Sequence, residues 1–193
     1  MRRYNNGTAI LFDAIGGSGG SSSTWQNLTI GAHTIYAHDS TATTPSNLTK
    51  YGYLYNWYAA KGISKGGTIL PNDTLNICPE GWHVPTDADW TTLTTELGGE
   101  SVAGGKLKSI GTVSYWSSQS AGTDNSSGFS ALPGGFRFNV GNFADISSST
   151  IFWSATEIYN DFALFRYQNT SSGNVGRDPN YKSAGASVRC LRN

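Results

Sequence analysis

A chain of 193 residues fits one domain, or one domain with a short appendage. Thirteen Lys and Arg balance thirteen Asp and Glu, and charged residues are only 13% of the chain, which excludes a surface built to neutralise nucleic acid or an anionic membrane, a coiled coil and charged disorder. The polar load falls instead on Ser, Thr, Asn and 24 Gly, beside six Trp and ten Tyr, as in a loop-rich β fold with an uncharged hydrogen-bonding surface.

Residues 1–49 are expected to form an N-terminal extension, a tether or an oligomer contact. The start of the chain lacks an apolar run long enough for a secretion signal: Thr8 to Ile15 is short and contains Asp13. No segment approaches the roughly 18 consecutive apolar residues of a membrane helix, so no membrane insertion is expected. Ala9-Ile10-Leu11-Phe12 reads as a strand or a contact to another chain, and a homo-oligomer through this segment is one expectation. Gly16 to Ser23 is a flexible linker by composition. Thr29 to Tyr36 reads as a strand, and Thr41 to Pro45 as a loop.

From Tyr51 the chain is dense in aromatics, and Leu54 to Ala60 predicts a short helix ending near Gly62. The clearest helix follows Pro85, with Thr86 as N-cap and Asp89 at the third position of a capping box. Trp90, Leu93 and Leu97 form its core stripe, and Gly98-Gly99 ends it. After residue 105 short strands are predicted at Tyr115–Ser118, Gly128–Leu132, Phe136–Asn139, Phe152–Thr156, Phe162–Gln168 and Ala186–Leu191, with Pro133-Gly134-Gly135 as a turn. In Phe162–Gln168 the alternation puts Phe162, Leu164, Arg166 and Gln168 on one side and Ala163, Phe165 and Tyr167 on the other. Helices early and a strand meander late indicate an α+β domain over residues 50–193.

Two cysteines, Cys78 and Cys190, are either a disulfide or two buried thiols, since two thiols alone build no zinc site and no histidine stands at ligand spacing. The carboxylates Glu80, Asp87, Asp89, Glu96, Glu100, Asp145, Glu157 and Asp161 show no spacing that singles out a glycosidase pair. His33, His38 and His83 are scattered, and no Ser-His-Asp order stands out. His83 reads as a satisfied, partly buried histidine. The Gly-rich runs lack the lysine and strand–helix context of a phosphate cradle. No catalytic residue, cofactor or metal is therefore expected; Asp178-Pro179-Asn180 echoes a calcium-lectin sugar motif without its partner carboxylates.

Four segments recur together in order: Tyr51-Gly52-Tyr53-Leu54-Tyr55-Asn56-Trp57; Cys78-Pro79-Glu80-Gly81-Trp82-His83-Val84-Pro85-Thr86, running on to Trp90; Gly128-Phe129-Ser130-Ala131-Leu132-Pro133-Gly134-Gly135-Phe136-Arg137; and Phe152-Trp153-Ser154-Ala155-Thr156-Glu157 with Ala186-Ser187-Val188-Arg189-Cys190-Leu191-Arg192. In this order, over roughly residues 50–193, the chain resembles the Fibrobacter succinogenes major paralogous domain family. The resemblance implies a C-type-lectin-like fold, with two short helices and mostly antiparallel short strands, in which Cys78, Cys190, Trp82, Trp90 and Trp153 are structural. It implies a place on a bacterial surface or a virion. Some relatives are variable proteins of diversity-generating retroelements, including phage receptor-binding proteins and pilus-tip adhesins, which display diversified C-terminal residues on a fixed scaffold.

Between Trp153 and Cys190 lies a stretch rich in Tyr, Asn and Ser, the residue types that paratopes use as rigid amphipathic rings and adaptable polar contacts. Tyr159, Asn160, Asp161, Arg166, Gln168, Arg177, Asp178, Asn180 and Tyr181 are the expected ligand contacts. The expected function is non-enzymatic display of this face to a protein or glycan receptor on a cell surface, with no nucleic-acid partner. The alternative is a structural bacterial surface module with no selective ligand, consistent with the scarcity of charge.

Overall fold

The structure, a computed structural model, describes residues 1–13, 23–38, 46–63 and 75–193. Of the linker expected over Gly16 to Ser23, residues 16–22 lie outside the described residues, as does the loop over 41–45, and Ser23 opens a short helix. In chain order the elements are β1 (Leu11–Phe12), α1 (Ser23–Gln26), β2 (Ala32–Thr34), a 3₁₀ turn (Tyr36–His38), α2 (Asn47–Tyr51), β3 (Leu54–Tyr55), α3 (Trp57–Lys61), β4 (Trp82–His83), α4 (Asp87–Glu96), α5 (Glu100–Leu107), β5 (Gly134–Arg137), β6 (Phe143–Ile146), β7 (Ser149–Tyr159), β8 (Phe162–Asn169), β9 (Gly176–Tyr181) and β10 (Leu191–Arg192). The largest sheet runs β6-β5-β7-β8-β9, antiparallel except where β5 meets β7; β1-β2-β3 and β10-β4 form smaller ones. The mixture of helices and strands is α+β.

Local chemistry sets the helices. Thr86 accepts from the Asp89 amide and Asp89 accepts from the Thr86 amide, so α4 opens on the full capping box. The helix expected over 54–60 begins later. The Asn56 side-chain oxygen accepts from Ala59 N at 3.0 Å and from Ala32 N at 2.9 Å, which caps α3 and leaves Leu54–Tyr55 extended to pair with β2. Gly62 closes α3 in the left-handed region. Helix α5 carries Gly104 and Gly105, poor helix formers. A Cβ at Gly104 would stand 2.2 Å from the Asn174 carbonyl oxygen, so the helix needs glycine where a loop lies directly on it.

The strands expected at Tyr115–Ser118 and Gly128–Leu132 are loops; Tyr115 and Ser130 take positive φ, and only an isolated bridge joins Ala131 to Lys108. Pairing in Ala186–Leu191 is likewise reduced to bridges at Ala186 and Ser187, with a true strand only from Leu191. On β8 the alternation is as expected, and both faces are covered. Ala163, Phe165 and Tyr167 pack with Trp57, Tyr58 and Trp153, while Arg166 is enclosed by α4 and α5. Trp153 and Trp57 each donate an indole N–H to a carbonyl, of Tyr55 and Ser154, both at 2.8 Å. Trp90 is a core residue, but Trp82, 39% exposed, lies outside the core, a correction to its expected structural role; its backbone pairs with Arg192 in the two-stranded β4–β10 ribbon. Cys78 and Cys190 form a disulfide.

No break in packing falls at residue 49. Tyr4, Ile10, Trp25 and Ile35 are buried. The buried Arg137 of β5 donates to Asp13 at 2.7 Å and lies over the rings of Trp25 and Phe143. His33 of β2 is buried among Phe12, Tyr53 and Tyr55. Desolvation there lowers its pKa to about 4. The fold binds the neutral imidazole, so its contribution is complete above the unfolded value near 6.5 and is lost as pH falls from there through about 4. Solvent screening of the ring makes the loss over that interval smaller than the roughly 3 kcal/mol that the full shift would give. Urea midpoints measured from pH 7 to pH 4 should fall steeply for the native chain and flatten in His33→Gln; equal slopes would place the acid sensitivity elsewhere.

Candidate binding face

The site is built on the turn between β7 and β8 and on β9, the sheet edge beside it. Lys182, only 4% exposed, pins this corner from beneath. Its ammonium donates to the Asn160 carbonyl at 2.7 Å, pairs with Glu157 and lies 4.7 Å from the Trp57 ring centre. Its amide donates to Asp161 O and its carbonyl accepts from Trp57 N, each at 2.8 Å. A buried charge with every direction satisfied fixes geometry, because each partner would be left desolvated if the turn moved.

Above this pin, Tyr159, Phe162 and Tyr181 are register partners across β7, β8 and β9. Tyr159 is 69% exposed and Tyr181 43%. The Phe162 and Tyr181 ring centres are 4.4 Å apart at 37°, so one Tyr181 face is packed and the ring is held in place. Beside Tyr181 opens a cleft of about 350 Å³ lined by Gln26, Asn27, Leu28, Thr29, Tyr58, Asn139, Asp161, Tyr181 and Ser183. Burial, then the nearby Asp161 and Glu157 carboxylates, raise the Tyr58 phenol, which keeps its proton. The outer edge of β9 is closed to strand pairing: Pro179 has no N–H, and the Tyr181 amide donates to the Asn180 side chain at 2.8 Å.

The nine expected contact residues fall into separate places. Tyr159, Asn160, Asp161, Asn180 and Tyr181 gather at the turn and the adjoining end of β9. Asp178 and Arg177 lie further along β9. Asp178 lines a shallow groove on the sheet face that holds Phe136, Phe165 and Tyr167. Arg177, though exposed, donates to both Asp87 oxygens, at 3.0 and 2.9 Å, on the helical side. Arg166 and Gln168 are corrected: both are buried, so neither presents a side chain to a partner. Arg166, 1% exposed, donates to Asp87 at 2.8 Å, to Thr91 at 2.9 Å and to Glu100, binding the starts of α4 and α5 to β8. Burial alone would raise the Asp87 carboxyl, but hydrogen bonds and charge from Arg177 and Arg166 hold it below the usual carboxylate range.

The cleft also contains residues that the sequence pattern does not single out. Tyr58 belongs to the aromatic run from Tyr51 and falls in the helix expected over 54–60. Asn139 follows β5, and Gln26 to Thr29 sit at the end of α1 with no periodicity to mark them.

The Fibrobacter succinogenes major domain model matches residues 18–192, taking in α1, β2 and the Gln26–Thr29 wall as well as the large sheet. No curated protein and no solved structure matches the chain. With nearly its whole length matched, the chain belongs to the Fibrobacter succinogenes major domain family.

Proposed function

We propose that the chain is a non-enzymatic binding module of C-type-lectin-like architecture that presents the β7–β8 turn and the adjoining end of β9 to a protein or glycan receptor on a cell surface. The observation that carries this reading is the pairing of two exposed tyrosines, Tyr159 and Tyr181, with a turn anchored by the buried Lys182. Rigid aromatic rings on a fixed frame lose little entropy on binding and supply large contact area, which is how hot spots act. The blocked edge of β9 supports recognition by side chains over strand addition. A place on a virion or bacterial surface, and descent from a retroelement-diversified protein, are part of the same proposal. They rest on the family resemblance and on the Tyr/Asn/Asp composition of the turn.

Protein and glycan arrays probed with the full chain test the reading. At least one ligand should bind, and Tyr159→Ala and Tyr181→Ala should each weaken it about tenfold or more with unchanged melting. Binding that ignores both substitutions, or no binding at all, would defeat it.

A further inference from the structure

The cleft beside Tyr181 gathers polar groups that the protein does not itself use. Among the described residues, the side-chain amides of Gln26, Asn27 and Asn139 and the hydroxyls of Thr29 and Ser183 line it without a hydrogen-bond partner. Tyr58 adds a stronger sign. It is only 3% exposed, it lines the cleft, and its hydroxyl has no partner among the described residues. The ring is packed away while the hydroxyl keeps access to the cleft, where water or a ligand can meet it.

The kinds of group narrow the ligand. Amides and hydroxyls both donate and accept, so they match a molecule that does the same around its rim. An apolar ligand would strip water from all of them with no return. An anion would face Asp161, the one charged residue on the described lining, with Glu157 close behind. The held Tyr181 ring offers an apolar wall. A volume of about 350 Å³ lies near the lower end of small-molecule clefts, room for a single ring unit. We propose that this cleft seats one neutral sugar ring, its hydroxyls on Tyr58, Gln26 and Asn139 and its face against Tyr181. The inference rests on the binding-module reading and names its ligand class. It also makes the site composite. Gln26 to Thr29 and Asn139, far in sequence from the turn, form one wall, while Asp161 and Tyr181 form the other.

The test uses the full chain against polymer conjugates of glucose, galactose, mannose, N-acetylglucosamine and N-acetylneuraminic acid. At least one neutral sugar should bind and the anionic one should not. Tyr58→Phe and Asn139→Ala should each weaken that binding about three- to tenfold, and Tyr181→Ala by at least as much, all with unchanged melting. No neutral sugar bound, preference for the anionic sugar, or indifference to Tyr58→Phe and Asn139→Ala would overturn the proposal. Capture of a surface protein through Tyr159 and Tyr181 with no sugar bound would overturn the sugar alone and leave the binding module standing; capture of nothing would end both.

Discussion

Asp13→Ala is expected to lower the unfolding free energy by about 3–5 kcal/mol, because it leaves the Arg137 guanidinium buried without its carboxylate. Arg137 is fully enclosed, and burial lowers its pKa against the opposing pull of Asp13. The Gly141 carbonyl at 2.8 Å and the Trp25 and Phe143 rings also hold the guanidinium, but none of them carries a full negative charge. The double variant Asp13→Leu with Arg137→Met should regain most of the loss, since an apolar pair removes both desolvation penalties together. Urea unfolding of the four chains measures this directly. The result also decides how the first 49 residues belong to the fold. Asp13 N donates to His33 O and Thr34 donates to Asp13 O, each at 3.0 Å, so the charge pair sits at the end of the β1–β2 ladder. A cost under about 1 kcal/mol would mean that this segment is detached from the cooperative unit.

What could be read in the sequence follows the range of the forces involved. The capping box of α4, the Gly62 stop of α3 and the two-sided alternation of β8 depend on neighbours a few residues away, and they stand where the sequence puts them. Helix α5 was hidden because Gly104 and Gly105 argue against a helix, and their reason is a loop from residues 173–174 pressed against them. Strand β9 is not among the expected strands, since Gly176-Arg177-Asp178-Pro179-Asn180-Tyr181 has no apolar alternation; an edge strand needs none. Arg166 looks like a surface contact until Asp87 and Glu100, 79 and 66 residues away, close over it. The same applies to the candidate site. Tyr159, Asp161 and Tyr181 were legible from composition, but the amides opposite them arrive only through the tertiary fold.

Two kinds of anchor therefore divide the labour in this chain. The buried charges Arg137, Arg166 and Lys182 each join segments distant in sequence. Their demand for partners specifies geometry more than it adds stability. The surface over them is then free to carry uncharged polar groups and tyrosines, because the frame does not depend on those side chains. A binding face of this kind tolerates substitution at Tyr159 and Asn160 with little change in stability, since surface changes away from buried partners stay small.

The disulfide is the other anchor, and its removal should show the second large effect. Cys78 and Cys190 are 112 residues apart, so the bond closes a loop that includes every strand from β4 to β9. The chain-entropy relation gives about 4–5 kcal/mol for a loop of that length. Cys78 is fully buried beside Ile77 and Val84, so a second contribution comes from packing that the bond keeps in place. Without the bond, β10 is held to β4 by the Leu191–His83 and Arg192–Trp82 pairing, an Asn193 N–H donated to the Gly81 carbonyl at 2.9 Å and a 2.6 Å contact between His83 and Asn193. A two-residue ribbon of that kind is marginal in water. Reduction with dithiothreitol and the Cys78→Ser, Cys190→Ser double variant should therefore destabilise the chain by similar amounts, and amide exchange at Leu191 and Arg192 should quicken before the large sheet opens. If the reduced chain unfolds within about 1 kcal/mol of the oxidised one, the unfolded chain is already confined by its own residual contacts, and the buried charges alone hold the two ends of the domain together.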